Sequence, residues 1–120
     1  FLFKKYVQQK QLPQLETLIL LLKDLAKKWQ DVPFPARTHG QMASPTTAGK
    51  EMAVYANRLL RQWRLLKGFK FTAKLNGATG NYSALLAAIP EFDWLAFSRN
   101  FLSEYGLEAN LVTTQIEDHD

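Results

Sequence analysis

Cysteine is absent from the 120 residues, so the chain forms neither disulfide bonds nor thiolate metal sites. Long hydrophobic runs are also missing, because no apolar stretch approaches the roughly 20 residues that cross a bilayer. A cationic leader followed by a small-residue cleavage site is not present either. These absences predict a protein without membrane segments, and the lack of cysteine fits a reducing cytoplasm.

The sequence has few histidines and only a small excess of one sign of charge. His39 and His119 are the two histidines, and because they stand alone without an HExxH spacing, we predict no metal site. The 15 basic and 11 acidic residues give a net charge of +4, with the two signs interleaved along the chain. Nucleic-acid binding usually needs a clustered basic face, so we expect no nucleic-acid partner. A small anionic ligand fits the same charge equally well.

Two common catalytic signatures are missing as well. No GxSxG turn is present, which argues against a serine hydrolase of that type. The glycines near residue 80 do not follow the GxxxxGK[ST] order of a phosphate-binding loop. Any chemistry in this chain must therefore come from other residues.

Apolar side chains recur at helical spacing in two long segments. The first predicts a helix over Leu12–Gln30, and the second predicts a helix of about 26 residues that is capped by Ser44 and Pro45 and ends near Lys70. The apolar positions are Leu12, Leu15, Leu18, Leu22, Leu25 and Trp29, and then Met52, Tyr55, Ala56, Leu59, Trp63 and Leu66. A face this wide on the first helix belongs inside a helical bundle or at a subunit interface.

The remaining segments predict shorter elements. We expect a turn-rich connection over Phe69–Tyr82, a short helix over Ser83–Ala88 and another over Asp93–Tyr105. Prolines make the link from Asp31 to Ala36 extended, a second extended link covers Leu107–Val112, and a final helix is expected to begin after Thr113 or Thr114. No strand pattern is strong, so the predicted fold class is all-α.

His39 lies in a polar loop between the two long helices, together with Arg37, Thr38 and Gln41. One loop can thus offer a cation, a hydroxyl, an imidazole and an amide to a single ligand. Histidine is the side chain whose ordinary pKa lies nearest neutral pH, so it suits a proton donor or acceptor. Read from composition alone, the residues favour an ordinary role for His39 as a loop or N-terminal helix residue. In that interpretation the segment only connects two helices.

Several blocks of sequence match one family in order and spacing. They are Arg37-Thr38-His39-Gly40-Gln41, Ala43-Ser44-Pro45-Thr46-Thr47, Gly49-Lys50-Glu51-Met52, Lys74 to Tyr82, Pro90-Glu91 with Asp93-Trp94, and Thr113-Thr114-Gln115-Ile116-Glu117. Together they resemble the adenylosuccinate lyases, the purine-pathway members of the fumarase and aspartase superfamily. Gly40 points to this branch, because sister lyases for argininosuccinate or fumarate typically have leucine there. Met42, Leu111-Val112 and Asp118 depart from the family pattern without removing a group that the reaction needs.

The resemblance implies a fold, a reaction and roles for three residues. The chain would supply long helices to the central helical domain of a homotetramer, whose active sites combine loops of three subunits. The enzyme would release fumarate from succinyl-substituted purine nucleotides without a cofactor, with His39 as general acid toward the leaving nitrogen. Gln115 would bind substrate, and Thr38 would orient His39 or contact a carboxylate.

The implied enzyme is larger than this chain. The chain starts at Phe1 rather than methionine, and the family's catalytic serine loop would lie beyond Asp120. We therefore expect these residues to be an inactive piece of the enzyme when isolated. Two alternatives stay open, namely another lyase of the superfamily and a non-catalytic helical assembly module.

Overall fold

The computed structural model describes residues 1–118 and divides the chain into two compact units. One unit is Leu2–Phe69, and the other contains Phe1 and the residues from Lys70 onward. Most of the described chain that has regular structure is helical, but two small two-stranded sheets are also present. The all-α prediction is therefore correct only in its coarser form, as a mostly helical fold.

The first unit begins with consecutive helical segments. Helix α1 (Leu2–Tyr6) leads into a π-helical segment (Val7–Gln11) and then into α2 (Leu12–Lys28). The predicted helix from Leu12 is confirmed, but helical structure starts ten residues earlier, so Pro13 does not mark its beginning. The backbone N–H of Leu12 bonds to the carbonyl of Val7 in the wide π turn. A π turn directly before Pro13 accommodates a residue that has no N–H to donate to an α-helical carbonyl.

A β-hairpin joins α2 to the next helix, where a polar loop without strands was predicted. Strands β1 (Pro33–Thr38) and β2 (Gln41–Thr47) pair antiparallel, with an irregularity in register between Pro35 and Arg37. Three prolines obscured the strand pattern in the sequence. In a two-stranded ribbon each strand has a free edge, so a proline whose missing N–H faces outward costs no ladder bond.

Helix α3 (Ala48–Lys67) follows β2 and packs against α2. Its cap is Thr47, whose side chain accepts a hydrogen bond from the N–H of Lys50 at 3.1 Å. The predicted cap at Ser44 and Pro45 is wrong because those residues are in β2. The helix therefore has 20 residues, about 30 Å at 1.5 Å per residue, rather than the expected 26.

Two contacts establish that α2 and α3 run antiparallel. Near the start of α3, a Cβ on Gly49 would lie 2.6 Å from the backbone nitrogen of Gln30 and would overlap the carbonyl oxygen of Ala26. Near the end of α3, the indole N–H of Trp63 donates to the carbonyl oxygen of Leu12 at 3.1 Å. The two backbones thus touch at Gly49, next to the base of the hairpin.

The second unit contains two short helices and a two-stranded parallel sheet. Helix α4 (Ser83–Ala88) and helix α5 (Trp94–Glu104) confirm the predicted helices, and Asp93 caps α5 by accepting from the N–H of Ala96 at 2.9 Å. Strand β3 (Thr72–Ala73) lies in the predicted turn-rich connection, and its parallel partner β4 (Glu108–Ala109) lies in the predicted extended link. Residues 113–118 are not helical, so the predicted final helix is absent from that stretch, and His119 lies outside the described residues.

An ion pair joins Lys70, two residues before β3, to Glu108, the first residue of β4. The ammonium group of Lys70 lies 2.7 Å from the carboxylate of Glu108. The hydrogen bond and the charge attraction raise the pKa of Lys70 above its ordinary value. Both side chains are largely exposed, so the pair contributes little to stability.

Among residues 1–118, no helix combines the length and the apolar character needed to span a membrane.

Replacing Gly49 with alanine tests the close packing of α3 on α2. The added methyl group would overlap backbone atoms, which cannot move as a flexible side chain does. We expect Gly49→Ala to lower the free energy of unfolding by about 1–3 kcal/mol in a urea titration.

Gly68→Ala is the matched control at the other end of α3. Its Cβ would have ordinary contacts, the nearest at 3.5 Å to the carbonyl oxygen of Arg64. We expect a change of less than about 0.5 kcal/mol in the same titration. Equal effects of the two substitutions would contradict the described packing.

Candidate active site

His39 and Gly40 form the two-residue turn of the hairpin. Their φ angles are 51° and 75°, and Thr38 pairs directly with Gln41 on either side of them. Positive φ at both central residues defines a type I′ turn, whose twist matches that of the flanking strands. Glycine adopts this conformation freely, and histidine is among the side chains found there more often than most.

The hairpin therefore presents the imidazole of His39 at its tip. The side chain is exposed, and no described residue of the chain hydrogen-bonds to it. A histidine in this position is free to contact a ligand or another polypeptide with either ring nitrogen. It is not packed among aliphatic side chains.

The strand geometry separates the polar groups that the sequence placed in one loop. Thr38 and Gln41 are a directly opposed pair, so their side chains share one face of the hairpin. Arg37 pairs with Met42 one position further along, and alternation along a strand directs this pair to the opposite face. The expectation that one ligand meets all four groups is thus corrected. Thr38 and Gln41 remain a combined polar face beside His39.

Gln115 belongs to the other unit, in a segment of bends over residues 114–116. Its side chain is exposed, and its backbone carbonyl accepts a hydrogen bond from the ammonium group of Lys74 at 2.9 Å. The structure brings His39 and Thr38 together as neighbours in the hairpin. It places Gln115 in a separate unit.

The loop from Lys74 to Tyr82 supports the segment that carries Gln115. The Asn76 side chain is fully buried, and its amide nitrogen donates to the hydroxyl of Thr113 at 2.8 Å. Gly80 has a φ of 79°, and a Cβ there would lie 2.7 Å from the carbonyl carbon of Thr113 and overlap its oxygen. The two backbones therefore approach so closely at this point that only glycine fits.

A buried polar chain connects the same loop to α5. The phenol of Tyr82 and the hydroxyl of Ser98 are hydrogen-bonded at 3.0 Å, and Ser98 donates to the carbonyl oxygen of Leu75 at 3.0 Å. Ser98 is 1% exposed and Tyr82 is 6% exposed. Buried polar groups cost free energy unless they are hydrogen-bonded, so this series of hydrogen bonds holds the loop in one arrangement.

Sequence reasoning missed the roles of Lys74, Asn76 and Ser98. Lys74 and Asn76 were part of a matching block, but they were treated only as part of a turn. Ser98 could have been noticed, because it lies four residues from both Trp94 and Leu102 on the apolar face of α5. A polar residue on such a face indicates a buried hydrogen bond.

Among residues 1–118, no group of three or more His, Asp or Glu side chains is placed to hold a metal ion.

Comparison with known proteins identifies the family. A family model described as lyase matches residues 1–120, which is the whole chain. The chain belongs to this lyase family. It is 50% identical over 109 residues to adenylosuccinate lyase of Escherichia coli (strain K12) and 47% identical over 110 residues to adenylosuccinate lyase of Vibrio cholerae. A third relative, adenylosuccinate lyase of Haemophilus influenzae, is 47% identical over 109 residues.

These similarities confirm the resemblance seen in the sequence blocks. Each alignment covers 91% of this chain but 24% of the relative. The chain thus spans about a quarter of the length of the lyases that it matches. Both the hairpin and the Lys74–Tyr82 loop lie within the match to the lyase family model.

Gly80→Ala tests the contact between this loop and Thr113. We expect it to lower the free energy of unfolding by about 1–2 kcal/mol, because alanine is strained in the left-handed conformation. The overlap with Thr113 should lower it by about 1–3 kcal/mol more. Gly77→Ala is the matched control, since Gly77 has a similar φ of 82° but its Cβ would lie 3.9 Å from the nearest backbone atom. In urea titrations the Gly80 variant should be clearly less stable. Equal stabilities would contradict the close approach.

Proposed function

We propose that this chain is part of a carbon–nitrogen lyase that splits adenylosuccinate into fumarate and the amino nucleotide. The same enzyme would cleave the succinyl-aminoimidazole-carboxamide ribonucleotide of purine biosynthesis. Support comes from the lyase family match and from the names of the three relatives. The observation that carries the proposal is the exposed imidazole of His39 at the tip of the type I′ turn.

The chemistry is a β-elimination in which His39 supplies a proton. A base outside this chain removes a proton from the carbon of the succinyl group, and the electron pair forms the double bond of fumarate as the carbon–nitrogen bond breaks. The departing nitrogen takes up a proton from the imidazole. Histidine suits this step because its proton transfers readily near neutral pH. No cofactor and no metal are required for this sequence of steps.

Gln115 and Thr38 would bind the substrate around the reacting atoms. The Gln115 amide both donates and accepts hydrogen bonds, so it can recognise a carboxylate or a purine edge. Thr38 is the last residue of β1 and precedes His39. Its hydroxyl would orient the imidazole or donate to a substrate carboxylate. Its partner across the hairpin, Gln41, lies on the same face and extends this polar surface.

The exposed apolar side chains of the first unit support an assembly. Leu20, Leu21 and Leu65 on α2 and α3 are 54%, 54% and 68% exposed. In this proposal other protein covers these leucines in the assembled enzyme. We place both units in the central helical domain of a cytoplasmic homotetramer, in which loops of different subunits complete each active site.

Replacing His39 tests the acid role directly. His39→Asn removes the titratable proton but keeps the turn, because Asn-Gly is a favoured type I′ pair. Activity is measured in a polypeptide of the relatives' full length that contains this chain, here called the full-length enzyme. We expect the turnover of adenylosuccinate to fall at least about a hundredfold with the assembly intact.

Met42→Leu is the control in the same hairpin, because Met42 is 78% exposed and carries no titratable group. It should leave turnover unchanged. Full turnover by His39→Asn would remove the acid role and favour a non-catalytic assembly module. Activity on argininosuccinate or fumarate, with none on adenylosuccinate, would reassign the substrate.

The isolated 120 residues should be inactive. The proposed base and much of the substrate site lie outside them, so no elimination can proceed. Incubation of the purified chain with adenylosuccinate, followed by ultraviolet detection of fumarate, should give the rate of the blank. Fumarate release that scales with the concentration of the chain would overturn this expectation.

A further inference from the structure

We propose that Lys74 is a positioning residue, which orients Gln115 for substrate binding by holding its backbone carbonyl. The inference rests on the proposed function, because it assumes that Gln115 contacts the substrate. Lys74 itself touches no reacting atom in this account. Its effect on the reaction passes through Gln115.

The ammonium group of Lys74 bridges two separate stretches of chain. It donates to the carbonyl oxygen of Gly77 at 2.7 Å and to the carbonyl oxygen of Gln115 at 2.9 Å. The first bond fixes the ammonium group within its own loop, and the second reaches 41 positions along the sequence. Both are charge-assisted hydrogen bonds, which are stronger than those between neutral groups. The bridge therefore sets where the peptide group after Gln115 lies.

Fixing this peptide group fixes the direction of the Gln115 side chain. The carbonyl carbon is bonded to the Cα of Gln115, so rotation of the peptide plane alters the backbone dihedral and redirects the Cα–Cβ bond. Residues 114–116 are bends outside any helix or strand, and no ladder of backbone bonds restrains them. The lysine supplies the restraint that regular structure would otherwise provide.

The neighbouring contacts make this role separable from folding. Thr113 is already held by the amide of Asn76 and by close backbone contact at Gly80. The buried chain through Tyr82 and Ser98 holds the loop itself. Removing the ammonium group should leave these contacts in place and release only the two carbonyl groups that it holds, those of Gly77 and Gln115.

A double-mutant cycle in the full-length enzyme tests the proposal. Lys74→Met should lower kcat/KM for adenylosuccinate by about 10- to 100-fold, the size expected when a positioning contact is lost. Gln115→Met should cause a loss at least as large. When Lys74→Met is added to Gln115→Met, we expect no further loss, because a residue that acts through Gln115 has nothing left to position.

Lys74→Arg and Lys70→Met complete the set. Lys74→Arg keeps a cation with several donors and should recover part of the lost kcat/KM. Lys70 belongs to the same unit, but its exposed ammonium group pairs with Glu108, so Lys70→Met should leave kcat/KM unchanged. If Lys74→Met does not assemble, Lys74→Gln, which loses the charge and the reach, gives the same comparison.

The outcomes separate failure of this inference from failure of the proposed function. If Gln115→Met reduces kcat/KM but Lys74→Met does not, the positioning role is wrong and the substrate role of Gln115 stands. Losses that multiply in the double variant would assign Lys74 a merely structural role and overturn the inference. An unchanged kcat/KM in Gln115→Met would overturn the substrate role of Gln115, and the positioning role with it.

Discussion

Close approach of two backbones at a glycine is the constraint on which both candidate segments depend. At Gly49, the start of α3 touches the end of α2, next to the base of the hairpin that carries His39. At Gly80, the Lys74–Tyr82 loop touches Thr113, two residues before Gln115. A methyl group at either position would overlap backbone atoms. Each segment is thus positioned by main-chain contact as well as by the packing of large side chains.

Rigid supports carry an exposed candidate side chain in each of the two units. His39 projects from a two-residue turn whose dihedrals are set by the paired strands, and Gln115 follows a segment held by Asn76 and Gly80. Hydrogen bonds of the buried serine and tyrosine add a second layer of restraint behind that segment. Sites that react well need side chains held near the productive geometry before the substrate arrives. This chain supplies such restraint at the level of the backbone.

Periodicity in the sequence predicted the helices α2 to α5, but it missed the helical segments before Leu12 and the hairpin. The helix expected after Thr113 or Thr114 is absent from residues 113–118. Helices α4 and α5 were found because Pro90 and Gly106 mark where they end. The hairpin was missed because Pro33, Pro35 and Pro45 argue against strands until it is known that each strand has a free edge. With strand β2 unrecognised, the cap of α3 was placed at Ser44 instead of Thr47.

The candidate site divides in the same way. His39 could be singled out because histidine side chains commonly donate or accept protons in enzymes, whereas its left-handed backbone depends on the strand pairing around it. Gln115 was found through the family resemblance alone.

The most direct test of the role of His39 is a crystal structure of the full-length assembly with bound adenylosuccinate. The account predicts an imidazole nitrogen of His39 about 2.6–3.2 Å from the nitrogen that leaves, and a different residue at that nitrogen, with His39 facing solvent, would contradict it.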